Sequence, residues 1–204
     1  MRSDKKKVSI GVVGKGFVGT AVAHGFSHQT GYGAEIRIYD KDPEKSQDTL
    51  DETVNKSEFI FLSVPTPADK DGFNDLSIVR SALRDIESIC KSPDNIILVR
   101  STVVPGTTRA LQKEFPNLRM VFNPEFLTER SASFDFINQT RVILGGDKQH
   151  TNKVKYLYKN RFGDFLPVLE TNYETAEMIK YMNNLFFATK VSFLNEMKLL
   201  SDKV

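Results

Sequence analysis

The sequence has 204 residues, enough for one large hydrophobic core and the beginning of a second unit, and its 40% hydrophobic and 26% charged content is ordinary for a globular protein. A formal net charge of +2 argues against binding to nucleic acid or to an anionic membrane, and no apolar run approaches the roughly 18 residues of a membrane span. The single cysteine excludes an internal disulfide framework and predicts a cytoplasmic protein.

The first predicted unit, residues 8–40, is a strand, a glycine-rich turn, a helix and a second strand that ends at Asp40. The turn contains the pattern G-x-G-x-x-G at Gly14, Gly16 and Gly19. In a dinucleotide site these glycines allow, in that order, a tight bend, a close approach of the backbone to a pyrophosphate, and close packing of the helix on the strand. The amides at the start of the helix attract phosphate charge.

Asp40 indicates which dinucleotide to expect. It follows Gly19 by 21 positions, about where a Rossmann unit has the acid that binds a ribose. A carboxylate there repels a 2′-phosphate, so we expect NAD rather than NADP. Lys41 and Lys45 weaken this preference, since either can reach a phosphate. The alternative is a glycine-rich turn in an unrelated α/β protein, with Asp40 as a solvated acid.

Apolar runs and helical spacings alternate along the rest of the chain. Strands are predicted at 8–13, 34–39, 59–64, 96–99, 118–122, 141–144 and 165–168, and helices at 43–50, at 76–90, from Pro105 onwards and at 151–162. This alternation predicts an α/β fold with a doubly wound, mainly parallel sheet of the Rossmann type. His24 and His28 share a face of the first helix, but no third ligand is evident, so we expect no metal site.

The last segment, from about Tyr173, contains neither proline nor glycine and predicts one long C-terminal helix of about 30 residues. Its apolar residues cover more than one face. A sheet can cover only one of them, so we expect another chain or domain to cover the rest.

Three predicted loops lie at the carboxyl edge of the sheet, where open α/β sheets bind ligands. Residues 64–77 begin with VPTP, residues 100–107 read RSTVVPGT, and residues 123–127 read NPEFL. Proline stiffens these loops, and their hydroxyls and carboxylates can bond ribose, sugar or water. Each loop by itself fits a plain proline-containing turn equally well.

Together the motifs are far more specific. GKGFVG, VPTPADKDGFNDLS, STVVPGT, NPEFLTE, RVILGG, AEMIKYMNN and SFLNE follow one another over nearly the whole chain, and in this the sequence resembles the N-terminal part of the UDP-glucose/GDP-mannose 6-dehydrogenases. The resemblance implies oxidation of a nucleotide-sugar CH₂OH through an aldehyde to a carboxylate with two molecules of NAD, a reaction of polysaccharide biosynthesis. It also implies an NAD-binding domain at 1–168 and a central dimerisation helix at 169–204, without the family's C-terminal nucleotide-sugar domain.

The resemblance also implies the roles of individual residues. The expected NAD contacts are Gly14, Gly16, Phe17, Val18, Gly19, Asp40, Lys45, Pro65, Thr66, Thr102 and Glu129. The expected sugar contacts are Glu125, Phe126, Leu127, Glu129, Lys180 and Asn184, and the expected catalytic residues are Thr102, Glu129, Lys180 and Asn184.

The chemistry of these catalytic residues is consistent with the implied reaction. Lys180 and Asn184 are four positions apart, which places both on one face of the last helix. An ammonium and an amide can stabilise an alkoxide or a tetrahedral oxyanion. Glu129 and Thr102 can activate and place a hydrolytic water.

Some positions depart from the family's pattern. The family's nucleophile is a cysteine of a later domain, whereas Cys90 is expected near a helix end, away from the three loops, as an inert thiol. The segment between Asp40 and Phe59 is short, and Arg130 stands where a glycine commonly follows the glutamate. We therefore expect incomplete catalysis by this chain. A β-hydroxyacid dehydrogenase relative that uses Lys180 and Asn184, and a non-catalytic NAD or nucleotide-sugar binding protein, remain as alternatives.

Overall fold

Seven strands form a single sheet in the computed structural model, which describes residues 7–204, so that only the first six residues of the predicted NAD-binding domain lie outside it. The strands are β1 Ser9–Val13, β2 Glu35–Tyr39, β3 Phe59–Leu62, β4 Ile96–Val99, β5 Arg119–Phe122, β6 Val142–Gly146 and β7 Val168–Thr171. Their order is β2-β1-β3-β4-β5-β6-β7, and all neighbours are parallel except β5 and β6. The predicted doubly wound, mainly parallel sheet is confirmed.

Helices cover both faces of this sheet. They are α1 Phe17–Phe26, α2 Leu50–Asn55, α3 Ser77–Ile89, α4 Thr107–Glu114, α5 Ala132–Ile137, α6 Lys148–Phe162 and α7 Tyr173–Ser201. Because β3 and β4 lie between two layers of helices, every one of their residues is buried. Alternate side chains point to opposite faces: Phe59 and Phe61 join one hydrophobic core, and Ile60 and Leu62 join the other.

The long helix α7 confirms the sequence prediction, and its two halves have different surroundings. Near its start, Ala176, Glu177 and Lys180 are buried against the domain. Ala176 fits closely over Gly145 of β6, where an added Cβ would lie 2.6 Å from the Ala176 Cβ. From Asn184 to the end of the chain every residue is exposed. No helix within residues 7–204 is both long and apolar enough to cross a membrane.

Several predicted boundaries were wrong, and capping explains two of them. Residues 43–49 form turns instead of a helix, and α2 begins after Thr49, whose side chain forms a capping box with Glu52. Helix α4 begins at Thr107, because Gly106 at its N-cap has a φ of +95°, which no helical residue adopts.

Two further differences concern β7 and α5. Strand β7 spans Val168–Thr171 instead of 165–168, and Phe165 is fully exposed. The short helix α5 was not predicted. Its Phe136 packs against Gly25 of α1, where an added Cβ would overlap the phenylalanine ring. The domain boundary expected at 168/169 stays a prediction.

Candidate functional site

The glycine-rich turn between β1 and α1 has the form that the sequence predicted. Gly14 has a φ of +95°, and an added Cβ would lie 2.5 Å from the Ser63 carbonyl oxygen. An added Cβ on Gly19 would overlap the Gly14 carbonyl oxygen. Gly16 differs, because apart from its neighbours along the chain no described atom lies within 4 Å of an added Cβ there. The turn is therefore tight on its inner side and open above Gly16, an arrangement that fits the close approach of a pyrophosphate.

Asp40 connects the end of β2 to this turn. Its Oδ2 accepts a hydrogen bond from the Lys15 amide at 2.6 Å, and its Oδ1 accepts one from the Asp42 amide at 2.9 Å. The carboxylate thus lies directly beside the glycine-rich turn. Lys45, the other charged residue expected at the cofactor, is exposed and pairs with Asp42 at 3.2 Å.

Two adjoining cavities lie at the carboxyl edge on either side of the turn. The first, of about 540 Å³, is lined by Tyr39, Leu50 and Ile78 among others. The second has a volume of about 390 Å³, and both are lined by Gly14 and Asp40. The expected NAD contacts that line the second cavity are Gly14, Gly16, Phe17, Val18, Asp40, Lys45, Pro65, Thr66 and Thr102. Gly19 lies behind the turn.

Hydrogen bonds hold the loops after β3 and β4 together beside the second cavity. The Thr66 hydroxyl donates to the Thr102 carbonyl oxygen at 2.8 Å, and the Ser101 hydroxyl donates to the Val64 carbonyl oxygen at 2.5 Å. The two threonines expected at the cofactor are therefore neighbours in space, although 36 positions separate them in sequence.

Lys180 reaches the loop after β5 from helix α7. Its Nζ donates to the Glu125 carbonyl oxygen at 2.6 Å and pairs with the Glu125 carboxylate at 2.9 Å. The lysine is only 5% exposed, so the pair is well shielded from water. The other carboxylate oxygen accepts the Leu127 amide at 2.7 Å. Phe126 lies between two cations, with its ring centroid 5.5 Å from Lys180 Nζ and 4.9 Å from Arg141 Cζ.

The structure does not bring all the expected catalytic residues together. Glu129 is exposed in a 3-10 turn, Glu129–Ser131, and Asn184 is exposed one turn beyond Lys180 on α7. Neither lines the two cavities. Cys90 directly follows α3, and its partial burial raises the pKa of the thiol. It lies outside both cavities, as expected for an inert thiol.

Glu177 is a buried charged residue of α7 that the sequence did not reveal. It is fully buried, and its carboxylate accepts the Gly106 amide at 2.6 Å and the Thr108 amide at 2.7 Å. These amides begin α4, which has no cap of its own. Burial raises the pKa of Glu177. The residue connects the loop that contains Thr102 with the helix that contains Lys180.

The first residue of the NPEFL loop, Asn123, belongs to a buried polar group that the sequence did not reveal. Asn123, which is 2% exposed, accepts hydrogen bonds on its Oδ1 from Arg100 Nη1 and from the Tyr158 hydroxyl, both at 2.6 Å. Its Nδ2 donates to the Ile143 carbonyl oxygen at 3.0 Å. One available signal was the position of Arg100 and Asn123, each directly after a buried strand.

Comparison with known proteins identifies related sequences over most of the chain. Residues 45–162 match the UDP-glucose/GDP-mannose dehydrogenase family, NAD binding domain, and residues 174–204 match the central domain of the same family. The first match begins after the glycine-rich turn. The assignment of that turn therefore depends on its geometry.

Individual relatives agree with these matches. An uncharacterized protein of Methanocaldococcus jannaschii is 45% identical over 159 residues, 74% of this chain and 18% of that protein. The UDP-glucose 6-dehydrogenase YwqF of Bacillus subtilis is 32% identical over 73% of this chain and 35% of its own length. A ternary complex of GDP-mannose dehydrogenase from Pseudomonas aeruginosa superposes with a TM-score of 0.79 at 27% identity, covering 93% of this chain and 52% of that one. The chain thus spans about a third of the Bacillus enzyme.

Proposed function

Because the chain belongs to the UDP-glucose/GDP-mannose dehydrogenase family, we propose that it forms the NAD-binding part of a nucleotide-sugar 6-dehydrogenase. The observation that carries the proposal is the position of the shielded Lys180–Glu125 pair, since Glu125 also lines the cavity beside the glycine-rich turn. In this proposal a buried ammonium lies next to the cofactor site. The family match favours this function over the β-hydroxyacid dehydrogenase alternative.

The cofactor side of the proposal assigns a role to each part of the turn. When bound, NAD supplies a nicotinamide ring that accepts a hydride. The open space above Gly16 receives the pyrophosphate, and Asp40 receives the adenosine ribose. Thr66 and Thr102 line the other half of the cofactor. We expect NAD to bind more tightly than NADP, because the Asp40 carboxylate repels a 2′-phosphate.

The substrate side depends on the loop after β5 and on α7. Lys180 stabilises the developing alkoxide of the sugar, and the Glu125 carboxylate holds the ammonium in place and compensates its positive charge before substrate binds. Phe126 and Leu127 form the wall of the sugar site. Asn184 holds the reactive oxygen. Thr102 positions the hydrolytic water and Glu129 activates it. Both roles require that another surface covers the exposed segments around Glu129 and Asn184.

We also propose that α7 makes the protein a homodimer and that the activity is cytoplasmic and supplies uronate sugars for polysaccharide biosynthesis. The support for the dimer is the apolar surface of the helix. Its exposed side chains include Met182, Leu185, Phe186, Phe187, Val191, Phe193 and Leu194. The single cysteine supports the cytoplasmic location, because it allows no internal disulfide and fits a reducing compartment.

Hydride transfer tests the proposed function directly. The purified 204-residue chain is incubated with NAD and UDP-glucose, NADH is followed by absorbance, and sugar products are identified by mass spectrometry. We expect slow formation of NADH without accumulation of the uronate, because Cys90, the only cysteine, lies outside the site. Lys180→Met should abolish NADH formation, and Lys190→Met, at an exposed lysine of the same helix, should leave it unchanged.

Three results would each contradict a part of the proposal. NADH formation that persists in Lys180→Met would remove the role of the lysine. No sugar-dependent NADH from a chain that binds NAD would favour the non-catalytic alternative. Sustained production of the uronate would show that the expected need for a cysteine is wrong.

A further inference from the structure

Arg100, the residue directly after β4, is a buried cation with unusual surroundings. Only 4% of it is exposed. Its Nη1 donates to Asn123 Oδ1 at 2.6 Å and to the Tyr158 hydroxyl at 3.2 Å. The rings of Phe61 and Phe136 lie 5.9 and 5.8 Å from its Cζ. Its Nε is buried and has no hydrogen-bond partner among the described residues.

The charge of Arg100 is not compensated by a carboxylate. Within residues 7–204, no aspartate or glutamate oxygen lies within 4.0 Å of its guanidinium. The other buried charges differ: Lys180 pairs with Glu125, and Glu177 accepts two backbone amides. Burial of a charge without an oppositely charged partner is costly.

The location of Arg100 indicates what its charge acts on. It lines the cavity of about 390 Å³ together with Thr102 and Glu125, and it also lines a neighbouring cavity of about 280 Å³ beside Phe126. In the proposed complex, Asp40 binds the adenosine ribose and the glycine-rich turn binds the pyrophosphate. The remaining half of the cofactor therefore extends toward Thr102 and Arg100.

We propose that Arg100 sets the redox preference of the bound cofactor, favouring NADH over NAD⁺ through the repulsion between its buried charge and the positive nicotinamide ring. The inference depends on the proposed function. The ring of NAD⁺ carries a positive charge, which disappears when a hydride from the substrate carbon brings in two electrons, while the hydroxyl proton of the alcohol leaves separately. Arg100 therefore destabilises only the oxidised form, and this favours hydride transfer from the alcohol to the cofactor.

The ratio of two dissociation constants, Kd for NAD⁺ divided by Kd for NADH, measures this preference in the full 204-residue chain. Calorimetry gives the first constant and NADH fluorescence gives the second. Arg100→Met removes the charge, and we expect the ratio to fall about tenfold, the effect of a unit charge at about 10 Å in a medium of effective dielectric about 20. Arg100→Lys keeps the charge with a comparable loss of packing, and should leave the ratio within about twofold.

Asn123→Asp provides a second variant that leaves Arg100 in place. It puts a carboxylate beside the guanidinium, 2.6 Å from Nη1 in the present geometry, and should lower the ratio in the same direction as Arg100→Met. Asn123→Asp therefore tests the electrostatic effect of Arg100 on the ratio even where Arg100→Met does not fold. A merely structural role of Arg100 would weaken both cofactors alike and leave the ratio unchanged.

The outcomes separate this inference from the proposed function. A ratio that stays the same in both charge-changing variants, or that falls equally in Arg100→Lys, overturns the inference alone. A wild-type chain that binds neither NAD⁺ nor NADH overturns the proposed function and this inference with it.

Discussion

Single residues of the glycine-rich turn have separable effects on stability and on cofactor binding. Gly19 packs against the backbone of Gly14, whereas nothing lies near the Cβ position of Gly16. The backbone of Gly16 has a φ of −76°, which alanine adopts without strain. A side chain at position 16 would therefore occupy only the space where we place the pyrophosphate.

We expect Gly16→Ala to keep the melting temperature of the wild type while losing roughly tenfold or more in NAD affinity, a loss of about 1.4 kcal/mol. Thermal unfolding and calorimetry measure the two quantities. Gly19→Ala is the matched control and should destabilise the fold by about 1–3 kcal/mol because its Cβ has no room. Unchanged NAD affinity in Gly16→Ala would mean that the pyrophosphate lies elsewhere.

Among single residues, the sequence predicted those whose role depends on their neighbours in the chain. Gly14 and Asp40 follow strands at fixed spacings, and the structure places both at the cavities. Arg100 and Glu177 were missed for a physical reason. The partners of Glu177 are backbone amides about 70 positions away, and those of Arg100 are an amide oxygen and a hydroxyl on other elements. The position of Arg100 directly after a buried strand is a local signal, but these long-range contacts leave no pattern in the sequence that shows what either residue bonds.

Among the elements, helices α4 and α7 are joined by two carboxylates from the first turns of α7. Glu177 caps α4 through its backbone amides, and Glu174 forms a two-pronged ion pair with Arg109, with one bond at 2.9 Å. The hydrogen bonds from Arg109 are the main reason that the pKa of Glu174 is lowered from 4.5 to about 2. These contacts hold α7, and with it Lys180, against the domain.

The lowered pKa of Glu174 predicts a pH dependence of stability. Because the pKa in the folded state lies below the value of 4.5 that we take for the unfolded chain, the stabilisation is present above pH 4.5 and is lost as the pH falls toward about 2. Glu174→Gln should therefore be less stable than the wild type near neutral pH, and the difference should shrink over that interval. Urea unfolding at several pH values measures it.

Glu44→Gln is the control for that experiment, because the side chain of Glu44 is exposed and forms no ion pair within residues 7–204. Its stability should follow the wild type at every pH. A difference between the wild type and Glu174→Gln that stays constant down to the lowest pH would contradict the role given to the Arg109 pair.

Hydrophobic periodicity predicted the strands and the longer helices, whereas capping residues determine where helices begin. Strand β4 was predicted with its observed bounds because it is apolar throughout and lies in the centre of the sheet. The capping box of Thr49 and Glu52 was overlooked, so α2 was placed too early. Helix α5 has only six residues and is stabilised by the contact of Phe136 with α1, which the sequence alone does not show.

For the whole molecule, the exposed half of α7 predicts self-association. Phe186 is 64% exposed and Phe193 is 59% exposed, and other apolar side chains of this half of the helix are exposed as well. Large exposed apolar patches on a protein surface indicate an interaction site. Burial of one such side chain contributes about 1.5–3 kcal/mol, so several of them can overcome the entropic cost of association.

Sedimentation at micromolar concentration should show a dimer for the wild type and a shift toward monomer for the double variant Phe186→Ser/Phe193→Ser. Phe165→Ser is the control, because Phe165 is fully exposed before β7, away from this helix. It should leave the association unchanged. A monomeric wild type whose state none of these changes affects would contradict the proposed dimer.

The central claim is that the cavities beside the glycine-rich turn form an NAD site in which Asp40 selects the cofactor. Calorimetric titration of the wild-type chain with NAD⁺ and with NADP⁺ tests it most directly, with Asp40→Asn as the comparison, since asparagine keeps an oxygen for the Lys15 amide but carries no charge. We predict one site per chain, tighter binding of NAD⁺ than of NADP⁺, and a smaller preference in Asp40→Asn. Equal affinity of the wild type for the two cofactors, or no binding of either, would contradict the account.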